Sequence, residues 1–361
     1  MLETIREYAE QELRPSGGGA DIARRHAEWF ARLLEEAELL LEGQEQTKWL
    51  DRLNRENDNV RSALQWARDA REAVLALRLA SAFGSYWWVR GQSTEGRMWL
   101  QAALALPGGQ EPVLRSRALE EAAHLAYRQG DYSRARLLAD ESMQLASEQG
   151  DAGRPARTLR VLALVAAGEG DNDRFRRLVE QSASAARDSG DRWALMMALN
   201  NLGCIALEAG DTTHACAHLE EAFELAATRG DERGEAFVLE NLAFAKLMAR
   251  RPRDARADFA RSLRAAHRLS FLEVVAMDLT GAAAVALADG ECVCSAHMLG
   301  VADRLLDEIG SPRDVFEERV YVETLARLDE LLGTEGLRQA LEEGRQLPLG
   351  EAVELALASL D

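Results

Sequence analysis

The chain has few of the residues that build β-sheets and disulfide frameworks. Its 361 residues include only seven prolines and four cysteines, and no run of alternating β-branched residues stands out. Alanine, leucine, glutamate and arginine dominate instead, and all four favour helices. The composition therefore excludes a sheet-rich fold and predicts an all-α chain. Four irregularly placed cysteines do not make a disulfide framework, so we expect free thiols in a reducing compartment.

Long apolar runs are also missing. No segment approaches the ~20 apolar residues that are needed to cross a bilayer. The N-terminal stretch MLETIREYAE is charged and lacks the apolar centre of a secretion signal. The sequence therefore predicts a cytoplasmic protein that has no membrane partner.

Lysine is nearly absent. Of the 43 basic residues, only Lys48 and Lys246 are lysines. The 61 acidic residues give the chain a formal net charge of −18. Binding to phosphate backbones needs positively charged faces. The charge balance therefore argues against direct nucleic-acid binding by the chain as a whole.

Glycine is the residue whose placement organises the chain. Gly-Asp pairs recur every 20 residues from Gly130-Asp131 to Gly230-Asp231, and the interval continues at Gly290 and Gly310. Arg250 and Ser270 stand where the glycine is missing. Glycine accepts the left-handed conformation that ends a helix, and aspartate caps the next helix. The spacing therefore predicts consecutive helices of roughly 17 residues.

Two such helices make a repeat of 40 residues. One repeat carries Asn201-Leu202-Gly203 in its first helix and Ala215 and Leu219 in its second. This pattern resembles the tetratricopeptide repeat with a longer period. Each helical hairpin leaves one face unburied until a neighbour stacks on it. We therefore predict an all-α fold, a right-handed superhelical α-solenoid of tetratricopeptide-like hairpins with 40-residue repeats.

Several stretches outside the best repeat resemble one protein family. They are residues 2–9 (LETIREYA), 49–61 (WLDRLNRENDNVR), 95–100 (EGRMWL), 296–300 (AHMLG) and 344–352 (GRQLPLGEA). Together they are similar to the C-terminal tetratricopeptide region of bacterial signal-transduction ATPases, which are transcriptional regulators of the NB-ARC, LuxR or SARP-like type. In that family an ATPase and a winged-helix segment precede the helical arm.

The resemblance implies a sensor arm without its enzymatic part. The chain contains no Gly-x-x-x-x-Gly-Lys-Ser/Thr phosphate loop and no complete winged helix, so ATP hydrolysis and DNA binding do not carry over. On this interpretation residues 1–14 are the last helix of a truncated winged-helix segment. N-terminal hairpins then occupy 20–106, the repeats occupy 113–309, and a helical cap occupies 310–361.

The leading functional hypothesis is a non-enzymatic protein-interaction and sensor arm of a bacterial transcriptional regulator. Such an arm needs no cofactor. It would bind a protein partner or effector in the superhelical groove. It would then act on an ATPase or DNA-binding module, in the parent chain or in trans. A free-standing tetratricopeptide scaffold is the alternative.

The groove candidates come from tetratricopeptide geometry, in which positions two before and two after the Leu202 site look into the groove. The resulting set is Glu120, His124, Arg128, Arg160, Asn200, Cys204, Glu240 and Phe244. This mixture of acidic, basic and apolar side chains does not predict which class of ligand binds.

Three further features have both an ordinary and a functional interpretation. The aromatic cluster at residues 86–99 is interpreted as core packing rather than an interaction surface. Arg261, Arg264 and Arg268 share one helix face, either as a solvated face or as a basic docking site for an anionic partner. His214 and His218 share a helix turn with a metal-like spacing, which leaves a metal-dependent enzyme as a third hypothesis. Cys216 points elsewhere, so we assign no metal site and no catalytic residue.

Overall fold

The computed structural model describes residues 19–109, 111–149, 154–310 and 313–361. Over these residues the chain is helical, without a strand. The remnant expected at residues 1–14 and the Gly150-Asp151 pair lie outside the described residues. The helices are α1 (Gly19–Leu40), α2 (Gln46–Asp69), α3 (Ala73–Ala82), α4 (Gly84–Val89), α5 (Ser93–Ala105), α6 (Pro112–Arg128), α7 (Tyr132–Gln149), α8 (Arg154–Gly168), α9 (Asn172–Ser189), α10 (Arg192–Glu208), α11 (Thr212–Arg229), α12 (Glu232–Met248), α13 (Pro252–Arg268), α14 (Leu272–Ala288), α15 (Cys292–Ile309), α16 (Val315–Gln346) and α17 (Leu349–Leu360).

Neighbouring helices pair along the sequence. Helix α6 packs on α7, α8 on α9, α12 on α13, and α14 on α15. Each of these pairs occupies about one 40-residue period, with α6 beginning at Pro112 and α8 at Arg154. The predicted all-α repeat fold of stacked helical hairpins is therefore confirmed.

The turns have the chemistry that the 20-residue spacing predicts. Gly170, Gly210 and Gly230 take positive φ angles of 77°, 76° and 63°. The following Asp171 and Asp211 accept hydrogen bonds from the backbone N–H groups three residues on, at 3.0 and 3.1 Å. Glycine ends one helix and aspartate begins the next, so this chemistry sets the helix boundaries.

The turn persists where the glycine is missing. Arg250 and Ser270 take φ angles of 60° and 55°, in the same left-handed region as the glycines. The following backbone N–H groups, of Arg251 and Phe271, still donate to carbonyls in the preceding helix. The two substitutions therefore change the strain of the turn and not its geometry.

The chain divides into two compact units, the first ending at Ala194 and the second running from Leu195 to Asp361. The aromatic cluster lies in the core of the first unit, as predicted. Tyr86 and Trp87 are fully buried, and the Phe83 and Tyr86 rings stack at 4.4 Å between centroids. The helical stretch from Ala73 to Val89 is broken at Phe83, where the weak helix former Gly84 follows directly.

In the second unit α16 changes direction at Gly333, whose φ of 70° and ψ of 157° interrupt the helix. The part of α16 that follows crosses α15 at very short range. A Cβ atom on Gly344 would lie 2.3 Å from the carbonyl oxygen of His297, and one on Gly300 would lie 2.2 Å from that of Leu341. Two of the stretches that carry the family resemblance thus meet at a glycine crossing. Within the described ranges, none of the helices is both long and apolar enough for a transmembrane span.

Candidate interaction site

Three arginines of the first unit, one each from α3, α6 and α8, pair with carboxylates on or just after α1. The arginines stand 39 and 40 residues apart in the sequence, which is the hairpin period. The acids stand three and four residues apart, which is the spacing of one helix face. We call this set the arginine ladder, and its pairs are Glu35–Arg78, Glu38–Arg117 and Glu42–Arg157.

The outer pairs of the arginine ladder have good hydrogen-bonding geometry. Arg78 holds Glu35 with two parallel bonds, from Nε at 2.7 Å and from Nη2 at 2.8 Å. Arg157 donates through Nη1 to Glu42 at 2.9 Å and through Nε to Asp191 at 2.7 Å. Such forked bonds are the strong form of the arginine–carboxylate interaction. Because of them, α1 is held across the helices that bear the arginines.

Arg160 lies one helical turn beyond Arg157 and has no such partner. The residue is 4% exposed, and no hydrogen bond or ion pair to it occurs among the described residues. Its guanidinium carbon lies 5.1 Å from the ring centroid of Trp193, and that of Arg157 lies 4.8 Å from the same ring. Burial lowers the pKa of Arg160. A buried cation without a counter-ion is costly.

The side chains around Arg160 do not neutralise it fully. Glu120 is committed to Arg154, with Oε2 at 2.5 Å from Nη1. Burial and the charge of Glu120 raise the pKa of Glu121 to about 7, so Glu121 is only partly ionised at neutral pH. Burial, together with the charges of Arg160 and Arg128, holds the pKa of His124 well below its usual value, which keeps the imidazole neutral. The ring of His124 packs 5.1 Å from Trp88.

The second unit has an acidic interior where the sequence predicted an accessible groove. Glu240 is fully buried, and neither carboxyl oxygen has a hydrogen-bond partner. Asp278 is also fully buried and accepts a hydrogen bond from Ser262 at 2.7 Å. Burial, followed by the nearby acids, raises the pKa of Glu240 well above its usual value. Burial also raises the pKa of Asp278.

Helix α16 covers this acidic interior. Its Phe316 is fully buried with its ring 5.6 Å from that of Phe244. The adjacent Glu317 is buried as well, and burial raises its pKa to about 7 although Arg313 lies 3.6 Å away. The predicted groove residues Glu240 and Phe244 are therefore packed inside the second unit.

The remaining groove candidates divide between the two units. Glu120, His124 and Arg160 are buried in the first unit, and Arg128 is exposed at the end of α6. In the second unit Asn200 is buried and accepts a hydrogen bond from Asn241 at 3.1 Å. Cys204 lies close to Asn200, and burial raises the pKa of its thiol. The positions at 120, 160, 200 and 240 thus hold buried polar side chains at 40-residue intervals.

Sequence reasoning missed the arginine ladder, Trp193, and the acids Asp278 and Glu317. The ladder had a detectable signal, because its arginines repeat at the hairpin period and its acids at the helical period. Trp193 had none, because one aromatic residue at a helix start has many possible roles. The two acids had none either, because most acids of a helical chain are solvated.

The basic docking candidates are each paired with a carboxylate. Arg261 contacts Glu235 at 2.5 Å and lies 4.8 Å from the Phe223 ring. Arg264 contacts Asp361 at 3.0 Å. Arg268 pairs with Glu232. These contacts offset the local positive charge that motivated the docking hypothesis.

The histidines with metal-like spacing have other contacts. His214 makes a 2.6 Å contact through Nδ1 with Asp211, the residue that caps its helix. Over the ranges that the structure describes, no group of three His, Cys, Asp or Glu side chains is placed to hold a metal ion. The four cysteines are free thiols.

Comparison with known proteins gives sequence matches to part of the chain. Three proteins from Mycobacterium tuberculosis and Mycobacterium bovis, provisionally named HTH-type transcriptional regulators, are 33% identical to this chain over 104 residues. The matched stretch is 29% of this chain and 12% of each relative. The chain thus covers a small part of those regulators. No protein-family model matches the chain.

Solved structures match over most of the chain. A Rap protein complexed with Competence and Sporulation Factor superposes with a TM-score of 0.60 at 10% identity, covering 93% of this chain and 99% of that one. The apo form of RapI superposes with a TM-score of 0.50 at 11% identity, covering 87% of this chain and 99% of that one. The chain therefore has the helical-repeat fold of these proteins and shares one segment with mycobacterial proteins named as regulators.

Proposed function

We propose that this chain is a non-enzymatic protein-interaction arm of a bacterial transcriptional regulator. It binds a protein partner or effector on the face of the first unit that carries Glu120, His124, Arg128 and Arg160. The observation that carries the proposal is Arg160, a nearly buried guanidinium that makes no hydrogen bond or close ion pair among the described residues. A buried charge of this kind destabilises the fold, and we expect it where binding of a ligand offsets the desolvation penalty.

The comparisons support the same role. The sequence match is to proteins named as HTH-type transcriptional regulators. A Rap protein of the same fold forms a complex with Competence and Sporulation Factor, which is a binding role for this fold. We further propose that the regulator is of the signal-transduction ATPase type and acts in the cytoplasm. The ATPase and DNA-binding modules would then lie elsewhere in the regulator or in a separate protein.

The proposed mechanism is a shift between two arrangements of the arm. The partner binds one arrangement more tightly, and the equilibrium moves by the difference between the two affinities. Helix α1 is the element placed to report binding, because the arginine ladder attaches it to α3, α6 and α8.

Affinity capture with a matched pair of variants tests this function. The tagged chain is expressed in a mycobacterial host, and bound proteins are quantified for wild type, Arg128→Glu and Arg176→Glu. Both arginines are exposed, but Arg176 lies on α9, a helix that carries none of the four residues of the proposed face. We expect Arg128→Glu to lose a defined partner that Arg176→Glu retains, and that partner to be a regulator, an ATPase or a DNA-binding protein. Equal recovery with both variants would contradict the proposal.

A further inference from the structure

The first part of α16, residues 315–332, lies across earlier helices of the second unit. Its Phe316 ring packs 5.6 Å from that of Phe244 on α12, and Arg319 donates a 3.3 Å hydrogen bond to the backbone carbonyl of Glu208 on α10. Helix α16 also packs against α14. Helices α10 and α12 carry the groove residues that the sequence predicted for this unit. We call residues 315–332 the cover segment, because they lie where a groove ligand was expected.

A narrow stripe of side chains attaches the cover segment to the unit. The buried residues of this stripe recur at every fourth position, at Phe316, Val320, Thr324 and Leu328. Val315 and Val322, by contrast, are 60% and 51% exposed. Helix α16 is interrupted at Gly333, before the part that crosses α15. A segment with few buried contacts opens at a lower free energy than the rest of its domain.

Three acidic side chains are enclosed beneath and within the cover segment. Glu240 of α12, Asp278 of α14 and Glu317 of the cover segment are each 0% exposed. The charge of each acts on its neighbours, which places the three in one cluster. Among the described residues, neither carboxyl oxygen of Glu240 has a hydrogen-bond partner. A buried carboxylate without a counter-ion is far more costly than a buried carboxylic acid, so the packed state favours the protonated forms.

The charged groups around this cluster compensate it poorly. Arg313 lies 3.6 Å from Glu317, but it pairs more closely with Asp303 of α15, at 2.5 Å. Helix α13 contributes the neutral hydroxyl of Ser262, which donates to Asp278. Further acids of like charge surround the cluster, namely Glu208 on α10, Glu273 on α14 and Asp314 before α16. Ionisation of the cluster would therefore add negative charge to a negative interior.

We propose that the cover segment is a proton-controlled latch on the groove of the second unit. While Glu240, Asp278 and Glu317 hold their protons, the cover segment stays packed on α12 and α14. When a rise in pH ionises these acids, they release their protons to water and become hydrated, and the cover segment separates. The latch lies in the second unit, so it goes beyond the partner site proposed for the first unit and does not depend on it.

The direction of the latch follows from proton binding. The packed state retains protons that the open state releases, so a higher pH favours opening. Burial raises the pKa of Glu317 from 4.5 to about 7 in the packed state. With its ordinary pKa restored on opening, Glu317 alone should increase the population of the open state about tenfold between pH 6 and pH 8. Glu240 and Asp278 act in the same direction, because burial raises their pKa values too.

Hydrogen–deuterium exchange of the full chain at pH 6 and pH 8 tests the latch. Protection factors, which remove the intrinsic pH dependence of amide exchange, are compared for the cover segment and for α13, which lies in the same unit. We expect the protection of the cover segment to fall by about tenfold or more from pH 6 to pH 8. At pH 8 it should also lie at least about tenfold below that of α13.

Two results of this comparison would overturn the inference. Protection of the cover segment that does not change with pH would show that the buried acids do not control it. Equal protection of the cover segment and α13 at pH 8 would show that the segment opens only when the whole unit unfolds. Both results are obtained on the wild-type chain, so the comparison decides the inference even where a variant fails to fold.

Matched variants assign the effect to the buried acids. Glu240→Gln and Glu317→Gln each remove one titrating group, so each should reduce the pH-dependent fall in protection by about threefold or more. Glu323→Gln, at an exposed position of the cover segment, should retain the wild-type fall. Circular dichroism checks that each variant is folded. A wild-type fall in folded Glu240→Gln and Glu317→Gln would refute the latch.

Discussion

The two neighbouring arginines of α8 pose opposite energetic problems. Arg157 is held by Glu42 and Asp191, and Arg160 is buried with no ionic partner in the described structure. Replacing a buried charge that lacks a partner removes a desolvation cost, whereas removing one partner of an ion pair leaves the other uncompensated. Arg160 therefore lowers the stability of the first unit, although it carries the proposed binding function.

We predict that Arg160→Met raises the free energy of unfolding by about 1 kcal/mol, while Arg157→Met lowers it by about 3 kcal/mol. Urea denaturation followed by circular dichroism measures both. The two substitutions are chemically identical and lie on one helix, so each serves as the control for the other. A destabilisation of Arg160→Met equal to that of Arg157→Met would mean that Arg160 has a structural role instead.

The two turns that lack glycine offer a second residue-scale prediction. Arg250 and Ser270 have left-handed backbone angles, which cost a residue with a side chain about 1 kcal/mol. Arg250→Gly and Ser270→Gly should therefore each stabilise the second unit by up to about 1 kcal/mol. Gly210→Ala is the reverse control and should destabilise it, since Gly210 has a φ of 76°. Thermal unfolding measures all three.

At the scale of single residues, the sequence predicted which positions of the repeat are equivalent better than it predicted the contacts of their side chains. The 40-residue period placed Glu120, Arg160, Asn200 and Glu240 at equivalent sites, and all four are buried. It did not predict that Glu120 has a partner and Arg160 does not. Pairing depends on the side chains that neighbouring helices bring near, and a repeat pattern alone does not specify them.

At the scale of the helices, the glycine crossing of α15 and α16 brings two backbones so close that a substitution can probe the contact. Gly344 meets the backbone of His297, so an added methyl group has no flexible side chain to displace. We predict that Gly344→Ala destabilises the second unit by about 2–3 kcal/mol. Gly350→Ala, where nothing lies within 4 Å, should be nearly neutral. A neutral Gly344→Ala in chemical denaturation would show that the crossing relaxes easily.

The helix boundaries were the most predictable part of the fold. Gly170, Gly190, Gly210 and Gly230 end helices with positive φ angles, and these turns are local chemistry that a sequence shows directly. The break at Phe83 is harder to predict, because the aromatic side chains continue the helical pattern across it. The cover that α16 forms over Glu240 and Phe244 was missed as well, since it depends on where a distant segment folds back.

At the scale of the whole chain, the titration of the second unit distinguishes it from an ordinary acidic domain. Glu240 and Asp278 have raised pKa values, and burial raises those of Asp314 and Glu317 to about 6 and about 7. A carboxyl whose pKa is raised by folding binds more protons in the folded state than in the unfolded state. Stability from these groups is therefore present at low pH and is lost as pH rises towards 7.

We predict that Glu240→Gln reduces the pH dependence of stability. In the wild type, these acids should lower the free energy of unfolding by at least about 2 kcal/mol between pH 5 and pH 8. The glutamine variant removes one titrating group and should be more stable than the wild type at pH 8. Glu323→Gln, at an exposed position of α16, is the matched control. Equal pH profiles for wild type and Glu240→Gln would exclude the buried acid as a cause.

Function was predictable only as a class. The repeat pattern and the family-like stretches predict an interaction arm of a regulator, and the partial sequence match is to mycobacterial proteins named as HTH-type transcriptional regulators. The sequence did not predict the chemistry of the partner, because the groove candidates include both acidic and basic side chains. Only the positions of the arginine ladder, α1 and Trp193 distinguish the arginines that pair with carboxylates from Arg160, which makes no ion pair among the described residues.

The central claim is that a partner binds the face of the first unit around Arg160. Site-specific photo-crosslinking in a mycobacterial host tests it most directly, with p-benzoylphenylalanine placed at position 128 in one strain and at position 176 in another. Both positions are exposed on helices of the first unit, on α6 and α9 respectively. The account predicts one defined crosslinked partner from position 128, which Arg160→Gln weakens, and none from position 176. The same crosslinked products from both positions, or a position-128 product that Arg160→Gln leaves unchanged, would contradict it.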